Sequence, residues 1–267
     1  MAAETSDTRY AFDNDSMEAK NQLELISQTV DSHTFSDLES IGVSSGWKCW
    51  DVGAGAGTIT TWLSERVGPD GYVLATDIKP QHITAHANVE IMQHDIRTDP
   101  SPVEKFNLIH ARLLLMHLPT REEILRRLVD SLNPGGLLVI SDWETNYLDL
   151  ILDSPDEMST QIVTRLLEIL RAGSPMFGID PRWAARAAGV MRRAGLSDVK
   201  THIHARSWQG NTGACLLHRS NAIQLRPQLV EGGGFTEDEI DTLLEVLVDP
   251  RFLISSHLMF TTIGARP

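Results

Sequence analysis

The chain has 267 residues, of which 42% are hydrophobic, and a formal net charge of −13. That length holds one full α/β domain with room for insertions, and the hydrophobic share is that of a globular protein. The acidic balance argues against nucleic acid as a partner, because phosphate neutralisation needs clustered Lys and Arg; the short run Arg192-Arg193 reads as a solvated helix face.

Cys49 and Cys215 sit among apolar residues, make no metal cluster and fit a reducing compartment. No apolar run is long enough to span a bilayer, and Met1 to Asp15 is polar, without a hydrophobic signal region. A cytoplasmic protein is expected.

Tyr10 to Asp15 is a short aromatic and acidic segment. Ser16 can cap a helix whose apolar face carries Leu23, Leu25, Ile26 and Val30. A second short helix is expected to carry Phe35, Leu38 and Ile41, with Gly42 as its C-terminal cap. These segments, residues 1–46, form an N-terminal helical cap that packs on the sheet or folds over a ligand.

Trp47 to Trp50 reads as a first strand, and Ile59, Trp62, Leu63 and Val67 recur at helical spacing. Between them stands Asp51-Val52-Gly53-Ala54-Gly55-Ala56-Gly57-Thr58. Three alternating glycines suggest close approach of a ligand to bare backbone, beyond what an ordinary tight turn requires. The dinucleotide fingerprint fails, because Thr58 stands where its third glycine belongs, and no Gly-Lys-Ser/Thr follows to make a phosphate loop.

Gly68-Pro69-Asp70-Gly71 is a turn, and Tyr72 to Thr76 a buried strand ending in Asp77. An acid there, about twenty residues beyond the glycines, is placed to accept from both hydroxyls of a ribose. The competing role is a cap for the segment after Pro80. Val89 to His94 is a third strand ending at Asp95-Ile96, and Phe106 to Ala111 a fourth. Thr120 caps an amphipathic helix with Ile124, Leu125, Leu128, Val129 and Leu132 on one face. Asn133-Pro134-Gly135-Gly136 stops it, and Leu137 to Ser141 is a continuous apolar strand, as in the middle of a parallel sheet. Five strands separated by helical segments predict a right-handed α/β sheet.

From Asp142 the pattern changes. Helices around Met158–Leu170 and Pro181–Ala194, parted by Gly173-Ser174-Pro175, predict a helical lid insertion at about 145–195. Val199 to Trp208 and Leu253 to Ala265 are then expected to close the sheet.

The acid-x-Gly-x-Gly-x-Gly turn resembles the first motif of class I S-adenosylmethionine-dependent methyltransferases. Gly46-Trp47-Lys48-Cys49-Trp50-Asp51-Val52-Gly53 and His110-Ala111-Arg112-Leu113-Leu114-Leu115-Met116-His117-Leu118-Pro119 look like a bacterial small-molecule branch of that family, and Asn133-Pro134-Gly135-Gly136 is similar to the family's late motif. The resemblance covers Trp47 to Trp143 well and the rest loosely. It implies a Rossmann-like, doubly wound seven-stranded sheet over residues 47–267, mostly parallel with an antiparallel last strand. S-adenosyl-L-methionine is the implied cofactor. Asp95 would then reach the adenine amino group, the amide of Ile96 the ring, and Ala111 and Arg112 the methionine end. Tyr10, Asp51, Gly53, Ala54, Gly55, Gly57, Asp77 and Ile78 complete the expected cofactor contacts.

The implied reaction is methyl transfer to O or N of a small, apolar or aromatic molecule of secondary metabolism. The sulfonium is already activated, so the protein mainly supplies placement. A base is needed where the acceptor must lose a proton, and His117 is the first candidate, with packing against Pro119 or capping as its plain alternative. His204 and His257 are weaker candidates. His202 and His204 alternate on one strand face, but without a third ligand they make a poor metal site, and no metal is expected. Trp143, Tyr147, Met176, Phe177 and Trp208 are candidates for an apolar acceptor pocket. A cyclase or isomerase that keeps the cofactor site, and a non-catalytic binding subunit, remain open. A homodimer is permitted but not demanded.

Overall fold

The computed structural model describes residues 17–267, with side chains described from Asn21 onward. Tyr10 and the Ser16 cap lie outside the described residues. In chain order the elements are α1 (Met17–Ser40), β1 (Lys48–Val52), α2 (Thr58–Val67), β2 (Tyr72–Asp77), β3 (Val89–Gln93), β4 (Phe106–Arg112), α3 (Arg121–Asp130) and β5 (Leu132–Glu144). There follow β6 (Ile151–Asp153), α4 (Glu157–Gly173), α5 (Trp183–Arg193), β7 (Ser197–His204), β8 (Ser207–Gln209), α6 (Gly213–Gln224), α7 (Arg226–Glu231), α8 (Glu237–Val246), β9 (Leu253–Ser255) and β10 (Leu258–Ala265).

Seven strands form one sheet in the order β3-β2-β1-β4-β5-β10-β7. The first five pair in parallel, and β10 runs antiparallel to both β5 and β7. This is the doubly wound, mostly parallel sheet expected. The central strand β1 shows why its sequence is apolar on both sides: Cys49 packs with Leu38, Leu63 and Val67 on one face, Trp50 with Phe106, Leu125 and Trp183 on the other. Asn107 Oδ1 accepts from the backbone N–H of Lys48, tying β4 to β1 at their entry.

A second core lies outside the sheet. Leu150, Leu166, Leu167, Phe235, Leu243, Phe252 and Ile254 close it, with α4, α6, α7 and α8 around the three-stranded sheet β6-β9-β8.

Several expectations need correction. The two N-terminal helices are one, because nothing between Val30 and Phe35 breaks the chain. Thr29 and Thr34 fold their hydroxyls back onto the carbonyls of Leu25 and Val30 instead of competing for the backbone. Gly42, at φ 75°, ends the helical segment as expected. Thr120 precedes α3, but its side chain makes no capping bond; its carbonyl takes the amides of Glu123 and Ile124. The fifth strand starts earlier and ends later than Leu137–Ser141, with a register shift between Phe106 and Leu108 where Asn-Pro-Gly-Gly enters.

The insertion is also divided differently. Helix α5 packs Trp183, Ala187 and Met191 into the sheet's own core, so it belongs to the sheet. The second core takes its residues from two stretches, one before α5 and one between β7 and β10. Each expected long closing strand, Val199–Trp208 and Leu253–Ala265, is therefore cut in two where the chain passes from the large sheet to the small one.

Candidate functional site

A cavity of about 730 Å³ opens at the carboxyl ends of β1, β2 and β4, where open α/β sheets bind ligands. Its floor is the glycine turn. Gly53, Gly55 and Gly57 all lie in the left-handed region, at φ 69°, 55° and 76°. The amides of Gly53 and Ala54 donate to the Thr76 carbonyl at 2.8 and 3.0 Å, which bends the turn over the end of β2. A Cβ at Gly53 would stand 3.1 Å from the Leu114 side chain, so at that position both backbone angle and space require glycine.

Asp77 organises this turn. One carboxylate oxygen accepts from the amide of Gly55 at 3.0 Å, the other from the amide of Lys79 at 2.8 Å. The capping role and the ligand role thus coexist, since each oxygen keeps a lone pair and the residue lines the cavity. Only a short turn, Pro80–His82, follows it.

Asp51 is buried on the same floor. Its oxygens accept from Thr60 Oγ1 at 2.7 Å and pair with His110 Nδ1 at 3.0 Å, so it joins β1, α2 and β4. Asp95 and Ile96 line the far end. The Asp95 carboxylate is gripped by the Arg97 guanidinium at 2.8–3.2 Å, which holds its pKa below the usual carboxylate range.

Ala54, Gly55, Ile78 and Arg112 also line the cavity; Gly57 and Ala111 do not. Gly57 faces Ile83, where a Cβ would meet backbone and side chain at 3.1 Å, and Ala111 is buried in the sheet core. Arg112 reaches up to α1, pairing with Asp31 at 2.8 Å and donating to Thr34 Oγ1 at 3.1 Å. That link holds down a helix whose Gln22, Leu23, Ile26 and Ser27 roof the cavity.

The opposite wall carries His117, Trp143 and Phe177. Burial, with Arg121 nearby, pulls His117 down to about 4, so the ring is neutral at pH 7. Tyr147, Met176 and Trp208 do not line the cavity. Tyr147 and Met176 point to solvent, Met176 being 83% exposed. Trp208 packs in the second core, its ring filling the space beside Gly213. Helical spacing gave no way to separate these from Phe177, one residue beyond Met176.

Two residues of the site escaped the sequence reading. His110 stood in a strand and in a motif but was given no role; in the sheet it is the register partner of Asp51. Asp142 holds the segment after β4 in place. Its Oδ1 accepts from the Leu114 amide at 3.0 Å and its Oδ2 from Trp183 Nε1 at 2.9 Å. Leu113, in the left-handed region at φ 50°, begins that segment, so the bonds to Asp142 hold a strained wall. Burial pushes the Asp142 carboxyl up to about 7.

Behind Trp143 lie two enclosed histidines, His218 of α6 and His257 just before β10, with ring centroids 5.5 Å apart. Burial pulls His218 from 6.5 down to about 4, and burial with His218 nearby pulls His257 down to about 3. A ring whose folded pKa is depressed supports the fold fully above 6.5 and loses that support as pH falls toward 4. For His218 the expected loss between pH 7 and 5 is roughly 2 kcal/mol. Asp142 acts in the opposite sense, because the folded state binds its proton first. The raw pH slope mixes the two, whereas the difference between wild type and His218→Gln isolates the ring. In urea denaturation that variant should gain about 2 kcal/mol on the wild type from pH 7 to 5; an unchanged difference would mean that the ring protonates freely in the fold.

The pair His202 and His204 does have a third neighbour. Asp37 of α1 meets His202 Nδ1 at 2.7 Å and His204 Nε2 at 2.9 Å. The sequence reading rejected a metal for lack of such a ligand, and Asp37 is too far along the chain to be found by spacing.

Residues 50–138 match the family profile described as "Methyltransferase domain". Methyltransferase str2 of Strobilurus tenacellus is 30% identical over 188 residues, 67% of this chain and 66% of its own length. The chain belongs to the class I S-adenosylmethionine-dependent methyltransferases. The cofactor of this methyltransferase is S-adenosyl-L-methionine.

The ubiquinone/menaquinone biosynthesis C-methyltransferase UbiE of Cronobacter sakazakii is 27% identical over 143 residues, 50% of this chain and 57% of its own. The match thus spans about half to two thirds of these curated relatives. Among solved structures, a cyclopropane-fatty-acyl-phospholipid synthase-like protein from Lactobacillus casei has the same fold, with TM-score 0.57, 16% identity and 94% of each chain covered. Phosphoethanolamine N-methyltransferase 2 of Haemonchus contortus, solved with S-adenosyl-L-methionine, gives TM-score 0.53 at 14% identity, over 88% of this chain and 52% of its own. Among the described residues of the methyltransferase, no helix is long and apolar enough to cross a membrane.

The residues present fit the cofactor. Bare backbone at Gly53 and Gly55 lines the cavity, and Asp77 offers two acceptor oxygens beside it.

Proposed function

We propose that this protein transfers a methyl group to O or N of a small apolar or aromatic acceptor. The observation that carries the reading is the single cavity running from the glycine turn and Asp77 to the wall of His117, Trp143 and Phe177. Bound on the turn, S-adenosylmethionine supplies an electrophilic methyl group.

The chain's own residues then do the rest. Asp77 holds the ribose diol, Asp95 and Ile96 flank the adenine end, and Arg112 lies toward the methionine end. Trp143 and Phe177 present flat apolar surface to the acceptor and exclude water from it. α1 roofs the cavity, and its link to Arg112 keeps that roof in register with β4.

His117 is the residue proposed to handle the acceptor proton. A neutral ring first accepts a hydrogen bond from the acceptor O–H or N–H, which orients the lone pair. With its basicity lowered by burial, it takes the proton late, after the new bond to carbon has made that proton strongly acidic. The proton then passes to solvent.

The test is titration calorimetry with S-adenosylhomocysteine, followed by turnover of a panel of phenols, amines and hydroxyquinones read by mass spectrometry. A product heavier by one methyl supports the reading. Cofactor binding with only equal-mass products supports the cyclase or isomerase instead. His117→Gln should retain cofactor affinity and lower turnover of a hydroxyl acceptor by about 10²–10⁴-fold. Unchanged turnover would remove His117 from the chemistry.

A further inference from the structure

The edge of the large sheet away from the glycine turn carries a second cluster. His202 and His204 stand two residues apart on β7, and so on one face of the edge strand. Asp37 comes down onto them from α1, and one ligand atom from each of the three lies within 4.8 Å of the others. His33, a turn earlier on α1, stacks on His204 at 4.8 Å between centroids and holds that ring in orientation.

The Asp37 side chain is only 4% exposed, while the two rings are 36% and 23% exposed. Among the described residues, its ion-pair partners are those two imidazoles and no lysine or arginine. A carboxylate so enclosed needs a partner of opposite charge, which a metal ion held between it and the two imidazoles would supply.

We infer that Asp37, His202 and His204 bind one divalent transition-metal ion, with zinc(II) as the type. Two imidazoles and a carboxylate suit zinc, cobalt and nickel better than the hard cations magnesium and calcium. Binding replaces the two N–H···O contacts: each ring moves its proton to the other nitrogen and gives its lone pair to the ion. Ligand atoms of a tetrahedral zinc site stand roughly 3.3 Å apart, given bonds of about 2.0–2.1 Å. The two N···O contacts of 2.7 and 2.9 Å must therefore open slightly, while separations of up to 4.8 Å close by up to about 1.5 Å, which rotation of two partly exposed rings can supply. The fourth position is left to water.

The ion would act as a staple. Asp37 lies ten residues beyond Ser27, the last α1 residue that lines the cavity, or about 15 Å along the helix axis. An ion there touches no part of the cavity; it pins the far half of α1 to β7. This inference stands apart from the proposed reaction.

The test uses the full untagged chain, stripped with a chelator and titrated with cobalt(II), then with zinc(II) in competition. One equivalent should bind, with visible ligand-field bands that zinc abolishes, and zinc should raise the melting temperature. Asp37→Asn, His202→Ala and His204→Ala should each weaken binding by about tenfold or more. Circular dichroism and a cooperative melt certify the fold of each variant. Should Asp37→Asn fail to fold, the double variant His202→Ala/His204→Ala carries the test from partly exposed positions. No saturable binding by the wild type, or wild-type binding by the double variant, overturns the inference.

Discussion

Asp77→Ala should weaken S-adenosylhomocysteine binding by some 10²–10³-fold, or roughly 3–4 kcal/mol. Two losses combine. The ribose hydroxyls lose their acceptors, each charge-assisted bond being worth about 1.5–3 kcal/mol. The amide of Gly55 loses its anchor too, so the floor of the cavity is no longer held in its bound shape. Asp77→Asn should fall in between, because its amide nitrogen must face either the Gly55 or the Lys79 amide, donor against donor. The residue is half-buried at a strand end, so both variants should fold and the loss should be read in affinity rather than in melting temperature. Calorimetry showing affinity within threefold of the wild type would remove Asp77 from the cofactor site.

A second large effect falls on stability. Asp51→Ala should cost about 3–5 kcal/mol in urea denaturation, a large part of the roughly 5–15 kcal/mol that a domain has. Asp51 is 2% exposed, and its removal strands the His110 ring and the Thr60 hydroxyl in a place water does not reach. Asp51→Asn separates this cause from mere loss of volume. Its carbonyl can accept from His110 while its amide donates to Thr60 Oγ1, so its cost should be nearer 1–2 kcal/mol. Equal stability of Asp51→Ala and wild type would mean that the buried pair contributes nothing to the fold.

These two acids show how unevenly the site was legible. Both stood out beforehand, because each ends an apolar strand beside the glycines. What each touches did not. Asp51, taken as a cofactor contact, proves to be a buried tie between three elements as well. Asp77, read as either cap or ribose ligand, holds two backbone amides and still faces the cavity. His110 and Asp142 gave no local signal, since a histidine within a strand and an acid after one are ordinary until the register sets Asp51 beside the first and the Leu114 amide against the second. The aromatic residues fared worst. Trp143 and Phe177 reach the cavity, while Tyr147, Met176 and Trp208, equally large and apolar, face solvent or a second core.

The strands of the first half of the sheet and the glycine turn were thus written locally. Apolar runs, glycines that permit positive φ and acids at strand ends act over a few residues, and that range is enough to specify them. The cavity wall of His117, Trp143 and Phe177, the second core drawn from two stretches, and the meeting of Asp37 with His202 and His204 depend on contacts between residues far apart in the chain. Those are decided by how helices settle on the sheet, because whether a side chain faces core, cavity or solvent is a property of what packs over it.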